Sequence, residues 1–201
     1  MILTCRARYF WITLPSVKRK WLALVVGLLF LDGLLGGRWW YYRHENRFDT
    51  EILTAARRYQ VAPALVKAVV WRESWFNPYA RGRAQECGLM QLQEAAGRDW
   101  ADAEKVGGFA LDQLFDPAIN TRVGAWYLRK LLRRYEQTDN PLPYALADYN
   151  AGRTHVRQWM QGPSATNSAA FMEHIGFPGT RKYVRAVLER YAYYQTRFPR
   201  R

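Results

Sequence analysis

Eleven apolar or small residues stand in an unbroken row at positions 21–31, WLALVVGLLFL, directly behind Lys18-Arg19-Lys20. No other feature constrains the chain so much, because such a run must be buried either in a protein core or in a bilayer. Asp32 interrupts it, Gly-Leu-Leu-Gly-Gly follows, and Arg38 precedes the aromatic run Trp39-Trp40-Tyr41-Tyr42. Trp21 to Gly37 is 17 residues, the short limit for a helical span, and the flanking Trp and Tyr suit the two membrane interfaces. The first 20 residues hold five basic side chains, Arg6 and Arg8 among them, and no acidic one. That asymmetry places the amino end in the cytoplasm and the chain after Tyr42 outside it.

Three other origins for the run fit less well. A cleaved signal peptide would show a small-x-small site before a polar mature start, and Gly-Gly-Arg-Trp-Trp is a poor substitute. A lipoprotein needs a cysteine just after the run, and none is there. A core helix rarely follows a basic cluster as a free-standing apolar stretch. Asp32 is the weak point of a span, but it lies toward the far leaflet, where a carboxyl costs less than at mid-bilayer. The expected organisation is a basic cytoplasmic tail at 1–20, a transmembrane signal-anchor at 21–42 and one folded domain at 43–201. Topology then separates Cys5, inside, from Cys87, outside. Cys87 reads as a buried free thiol, since none of His44, His155 and His174 forms a recognisable Cys–His pattern with it.

Composition narrows what the domain does. Two cysteines exclude a disulfide-dense scaffold and a zinc-finger cluster, and neither metal nor cofactor is expected. The net charge of +13 favours a polyanionic partner: nucleic acid, an anionic membrane surface or an acidic wall polymer. The basic residues are scattered rather than grouped with aromatics, and the topology puts the domain outside the cytoplasm, so no nucleic acid is expected.

Periodicity predicts an all-α domain. Helices are expected from Asp49 or Thr50 as cap to about Tyr59, from Pro63 to about Ser74, from Gly88 to Ala96, and from Pro117 to Arg134. Further helices are expected over Leu142–Asn150, Val156–Met160 and Thr180–Tyr194, with short polar loops at 76–86, 135–141 and 161–170. Long two-residue alternation is nearly absent, which excludes a strand-dominated fold.

One carboxylate stands out. On a helical wheel Leu65, Val66, Val69 and Glu73 share one arc, while Lys67 and Trp71 point away. Glu73 also occupies the last turn of its helix, the end least favourable to negative charge. Both effects disfavour ionisation and would suit a general acid working near neutrality. The pattern alone leaves a second reading open, an exposed helix-end Glu paired with Arg72 or Arg81.

Five short stretches decide between them. Glu73-Ser74, Phe76-Asn77-Pro78, Gly88-Leu89-Met90-Gln91, Tyr149-Asn150-Ala151-Gly152 and Tyr183-Val184 resemble, in order and spacing, the catalytic domain of the lytic transglycosylases, a lysozyme-like fold related to goose-type lysozyme. Phe115-Asp116-Pro117 and Asn120 fit the intervening stretch, and the resemblance runs from about Asn46 to Tyr194. It implies that Glu73 is a single catalytic acid/base, cleaving between N-acetylmuramic acid and N-acetylglucosamine by attack of the muramic 6-hydroxyl to leave a 1,6-anhydro end. Assistance from the muramic acetamido group would make a second carboxylate unnecessary. The resemblance also implies substrate contacts from Ser74, Gly88, Met90, Gln91, Tyr149, Asn150 and Tyr183, with the hydroxyls of Tyr149 and Tyr183 near Glu73. Core packing competes as a reading for Met90 and Tyr183, helix capping for Gln91 and Asn150. The implied partner is the peptidoglycan strand, and the implied place is the outer face of the inner, cytoplasmic membrane.

The chain departs from the family pattern twice. Gln85-Glu86-Cys87 replaces a stretch that is usually Gly-Ala-x, so Glu86 brings a second carboxylate to the site entrance, where it could modulate Glu73 or bind a stem amine. Ile175-Gly176-Phe177-Pro178-Gly179-Thr180-Arg181 carries glycine where relatives tend to have proline and glutamate, which predicts a looser loop. Two other functions remain in view: a hydrolytic muramidase, with water held by Asp99, Asp102 or Glu86, and a catalytically silent wall-binding protein. The topology is directly testable. Protease added to spheroplasts is expected to degrade residues 43–201 while sparing a tag fused at Met1; protection of both, or a mature protein lacking residues 21–35, would exclude the anchor.

Overall fold

The computed structural model describes residues 16–198, with side chains from Trp21 onward, so Cys5, Arg6 and Arg8 lie outside the described residues. The chain divides into two units, residues 1–44 and 45–201. The first is built on α1 (Ser16–Glu45), a continuous helix of 30 residues. Its large apolar side chains from Trp21 to Leu35 are about half to two-thirds exposed. By length and composition it is sufficient to cross a membrane. The stretch 21–42 would rise about 33 Å at 1.5 Å per residue, against a hydrocarbon core of about 30 Å.

The second unit is helical throughout, and among the described residues the only β pairing is a pair of isolated bridges from Cys87 to Arg81 and Leu92. Its helices are α2 (Asp49–Tyr59), α3 (Pro63–Ser74), α4 (Glu94–Glu104), α5 (Pro117–Arg134), α6 (Pro141–Ala151), α7 (Arg153–Trp159), α8 (Ser168–His174) and α9 (Pro178–Gln195), with 3-10 turns at Leu111–Phe115 and Gly162–Ala165. Local chemistry fixes most starts. Asp116 caps α5 by accepting from the Ile119 amide at 2.8 Å, with Pro117 in the first turn, and Asn140 caps α6 ahead of Pro141.

The core is built around α3, which packs on α2, α5 and α9. Every residue from Ala64 to Val70 is buried, Lys67 included. Lys67, off the Glu73 arc on the wheel, is therefore buried as well. Its ammonium donates to Asn46 Oδ1 at 2.6 Å and to Asp49 Oδ1 at 2.7 Å, with the rings of Tyr194 and Phe198 beside it. A buried ammonium without such partners would be severely destabilising. The same contact explains why Asp49 caps nothing: its carboxylate is committed to Lys67, and α2 begins without a side-chain cap.

Two expected segments fold differently. Residues 88–92 are a tight turn, not a helix, because Gly88 and Gln91 both have positive φ and the backbones of Cys87 and Leu92 exchange both hydrogen bonds. The helix starts later, at Glu94, and runs to Glu104. The loop expected at 161–170 contains a 3-10 turn and the start of α8, capped by Asn167 and held by Phe171, which is fully buried on Tyr144. The glycine-bearing stretch before α9, expected as a looser loop, is short. Only 175–177 separate α8 from α9, and a Cβ on Gly176 would come within 2.8 Å of Trp159 Nε1.

The turn at 87–92 is fastened to α5 by one side chain. Asn120, fully buried, donates through Nδ2 to the carbonyls of Cys87 (2.9 Å) and Leu114 (2.7 Å) and accepts from the Met90 amide at 2.8 Å. Asn120→Ala strands three backbone groups, each costing about 1–3 kcal/mol when buried and unsatisfied. We expect it to destabilise the domain by roughly 3 kcal/mol or more, a melting temperature lower by about 6–12 °C for a domain of this size, with faster amide exchange at Met90 and Leu92. A melting temperature within about 2 °C of wild type would show that the turn is held by other contacts.

Candidate active site

Glu73 lies at the last turn of α3, and the chain turns sharply behind it. Trp75 and Phe76 both adopt left-handed backbone conformations, φ 50° and 63°, uncommon for large side chains and a local strain that the buried Phe76 ring holds in place. Ser74 Oγ donates to the Leu89 carbonyl at 2.8 Å, with the Val70 carbonyl at 3.2 Å. The residue after Glu73 thus ties α3 to the 87–92 turn.

A cavity of about 630 Å³ opens beside this junction. Among the residues that line it are Glu73, Glu86, Gln91, Tyr149 and Asn150, brought together from α3, the 82–93 segment and the end of α6. Its size is in the range that holds a small ligand or a sugar unit or two. Asp99 lines it as well, through a carboxylate paired to Lys130 at 2.9 Å, whereas Asp102 does not.

Glu73 is half-buried, and Oε1 accepts a 2.6 Å hydrogen bond from the Tyr183 hydroxyl. Burial pushes its carboxyl up to about 7, and Glu86 adds to this, while Tyr183 and the Arg72 guanidinium pull it down. The exposed ion-paired reading does not describe this geometry: Arg72 lies over the ring of Tyr183 and Arg81 over the ring of Phe115. The arc argument rested on a partial premise, since α3 is buried nearly all round and burial is the main cause of the shift.

Four of the singled-out residues stand behind the cavity wall. Ser74 acts on the backbone as described. Gly88 has φ +77°, and a Cβ there would come within 2.3 Å of both Asn120 Nδ2 and the Leu114 carbonyl, so only glycine admits the Asn120 bracket. Met90 is fully buried, its sulfur packed so closely on α5 that a Cβ on Gly124 would lie 2.1 Å from it. It offers no apolar wall to a sugar; core packing is its role. Tyr183, 2% exposed, reaches the site only through its hydroxyl on Glu73.

The polar groups at the cavity are already oriented. Tyr149 donates to the Met90 carbonyl at 2.7 Å, not to Glu73. Both amide protons of Gln91 go to carbonyls, those of Ala80 and Gly88, which leaves its oxygen to face a ligand. Asn150 is the converse case: its oxygen accepts from Thr180 Oγ at 2.8 Å, which leaves its amide N–H groups as donors. Neither caps a helix. Glu86 folds back over Gly82 and accepts from the Ala84 amide at 2.9 Å.

Sequence reasoning missed Thr180 and Tyr127. Thr180 was visible only as part of the departing stretch before α9, yet it fixes the amide of Asn150. Tyr127, within α5, packs its ring against Tyr149 at 5.6 Å in the cavity wall. The Tyr183 contact has a readable consequence. Its hydrogen bond favours the carboxylate, so Tyr183→Phe raises the Glu73 pKa further above 7. The basic limb of the pH–rate profile is expected to move to higher pH by roughly 0.5–1 unit, the equivalent of a bond worth about 1 kcal/mol. A shift to lower pH, or none, would show that the hydroxyl does not act on Glu73.

Comparison with known proteins gives this geometry its context. Residues 51–172 match the Transglycosylase SLT domain. The soluble lytic murein transglycosylase of Escherichia coli (strain K12) is 31% identical over 174 residues, 83% of this chain and 26% of that protein. The membrane-bound lytic murein transglycosylase C of Shigella sonnei is 41% identical over 120 residues, 57% of this chain and 33% of that protein. Among solved structures, an inactive glutamate-to-glutamine mutant of a lytic transglycosylase from Pseudomonas aeruginosa superposes with a TM-score of 0.66 at 28% identity, covering 73% of this chain and 24% of that one. The 70 kDa soluble lytic transglycosylase complexed with bulgecin A gives 0.67 at 28% identity, over 81% and 26%. This chain thus spans 26% of the length of the Escherichia coli relative. With the family's domain matched over more than half the chain and its fold reproduced around Glu73, the chain belongs to the SLT transglycosylase domain family.

Proposed function

We propose that this protein is a peptidoglycan lytic transglycosylase that cleaves the β-1,4 bond between N-acetylmuramic acid and N-acetylglucosamine without water, with Glu73 as its single acid/base. The observation that carries this reading is a half-buried carboxyl with its pKa raised to about 7, beside a sugar-sized cavity and held by one phenol. A group so placed is neutral often enough to donate and basic enough to accept near neutrality.

The proton balance closes on that one residue. Neutral Glu73 protonates the glycosidic oxygen as the bond from the muramic C1 breaks. The resulting carboxylate, stabilised by the Tyr183 hydroxyl, takes the proton from the muramic 6-hydroxyl as O6 bonds to C1. Glu73 ends as it began, and the product is a 1,6-anhydromuramic end. Holding the nucleophile on the same sugar gives it the advantage of an intramolecular reaction. The amide of Asn150, with its oxygen fixed by Thr180, is suited to donate to the muramic acetamido oxygen while that group assists at C1. Gln91 would accept from a substrate hydroxyl or amide, and Glu86 would modulate Glu73 or meet a stem amine.

The family relationship and the apolar α1 support a membrane-anchored form of this activity, with the catalytic unit facing the wall from the inner membrane. The Pseudomonas aeruginosa relative was made inactive by a glutamate-to-glutamine exchange, and the same exchange tests Glu73. Glu73→Gln keeps shape and hydrogen bonding but cannot deliver a proton. Turnover of purified sacculi is expected to fall by at least the roughly 10²–10⁴-fold typical of general acid catalysis, with binding retained. Mass spectrometry of the released muropeptides reports the chemistry at once: anhydro ends support transglycosylation, and reducing ends would replace it with hydrolysis. A folded variant that still turns over at more than about a tenth of the wild-type rate would remove Glu73 from the mechanism.

A further inference from the structure

A second cavity, of about 560 Å³, lies where the ends of α2 and α4 meet the middle of α5, and its lining is strongly basic. Arg58, Arg129, Lys130 and Arg133 line it together with Glu104 and the ring of Trp126. Two of the four cations are compensated, Arg58 by Glu104 and Lys130 by Asp99. Arg129 and Arg133 have no acidic partner among the described residues, although Glu136 lines the adjoining hollow with them. They sit four residues apart on α5, a spacing at which like charges repel and destabilise a helix. Two uncompensated guanidiniums in one concavity, beside the half-buried Trp126, form an arrangement that an anion would relieve.

The pocket is not remote from the catalytic cavity. Asp99 lines that cavity and Lys130 lines this one, so the 2.9 Å pair between them stands at their shared border. Likewise Trp126 belongs to the basic pocket and its neighbour Tyr127 to the catalytic one. A strand lying along the α4–α5 side of the catalytic cavity would carry its next side groups toward the guanidiniums. A concave site with an aromatic wall suits a projecting group rather than a flat surface. Arginine is the side chain that matches carboxylates by two parallel hydrogen bonds.

We infer that this pocket is an accessory anion site that takes the carboxylates of peptide stems on the substrate strand, away from the bond being cleaved. The inference rests on the peptidoglycan reading above and adds a contact that the catalytic cavity does not supply. It also gives part of the domain's positive charge a defined task, as distinct from diffuse attraction to an acidic polymer.

The test uses the full chain in non-ionic detergent, carrying Glu73→Gln so that binding is read without turnover. Titration calorimetry compares glycan strands bearing stems with the same strands stripped of stems by an amidase. Changing Arg129 and Arg133 together to Gln is expected to weaken binding of stemmed strands by about 5- to 20-fold, as for two partly exposed charge contacts, and of stripped strands by less than about 2-fold. Lysine at both positions should restore much of the difference, and thermal unfolding checks that each variant is folded. Equal weakening on both substrates would reduce the cluster to general electrostatics, and unchanged binding of stemmed strands would remove the site; either result overturns the inference. Turnover by the unmodified chain separates the two levels. If it releases anhydromuropeptides while the arginine variants bind normally, only the accessory site fails; if it neither binds nor cleaves either strand, the peptidoglycan reading fails with it.

Discussion

The buried amide of Asn120 is the contact on which the site's geometry depends. Its three hydrogen bonds hold the carbonyls of Cys87 and Leu114 and the amide of Met90, three backbone groups from segments that have no regular ladder to satisfy them. Around it the other constraints fall into place. Gly88 must be glycine because any Cβ would displace that amide; Gly124 admits the Met90 sulfur; Tyr149 takes the Met90 carbonyl; and Ser74 takes the carbonyl of Leu89. The turn is thereby fixed to α3, α5 and α6 at once, and Gln91 is delivered to the cavity beside Glu73. Most of the residues in the Gly88-Leu89-Met90-Gln91 run serve this framework, and only Gln91 of the four faces the cavity.

The chemistry proposed for this site turns on a balance of opposed effects on one carboxyl. Burial at the end of a core helix drives Glu73 toward its neutral form, and Glu86 across the cavity adds to this. Tyr183 and Arg72 act in the other direction, and a group left near neutrality is the result. For the proposed acid/base role either tendency alone would be less useful. An exposed glutamate would stay ionised and could not donate, while one with no donor beside it would resist becoming the carboxylate that the proposed second proton transfer requires. The phenol comes from α9, at the far end of the sequence, and α9 packs directly on α3.

The same pairing of α3 with the ends of the domain is repeated at Lys67. Asn46 and Asp49, where the domain begins, meet the ammonium on α3, and the rings of Tyr194 and Phe198, where it closes, lie beside it. Glu45 accepts a 2.5 Å bond from the Tyr194 hydroxyl in the same region. The first and last segments of the unit are thus fastened to its central helix through a buried charge. Breaking such a pair leaves an uncompensated ion in the core.

The sequence by itself determined the all-α class and most helix positions, and it singled out Glu73 as the candidate carboxylate. These are local matters: proline and Asx residues mark starts, the apolar period marks lengths, and the order of five short motifs is preserved along the chain. It misplaced what depends on distant partners. Residues 88–92 have the composition of a helix start but fold as a turn, because Asn120, some 30 residues later, satisfies their backbone instead. Asp49 was read as a helix cap and Lys67 as lying off the Glu73 arc until tertiary packing paired them, and Met90 looked like a cleft residue until α5 enclosed it. The pKa of Glu73 belongs to the same class: the helix-end position was legible, but its main causes, burial by other helices and a phenol 110 residues away, arise only when the chain closes on itself. Local propensity is written in neighbouring residues, whereas burial and long-range hydrogen bonding are properties of the packed whole.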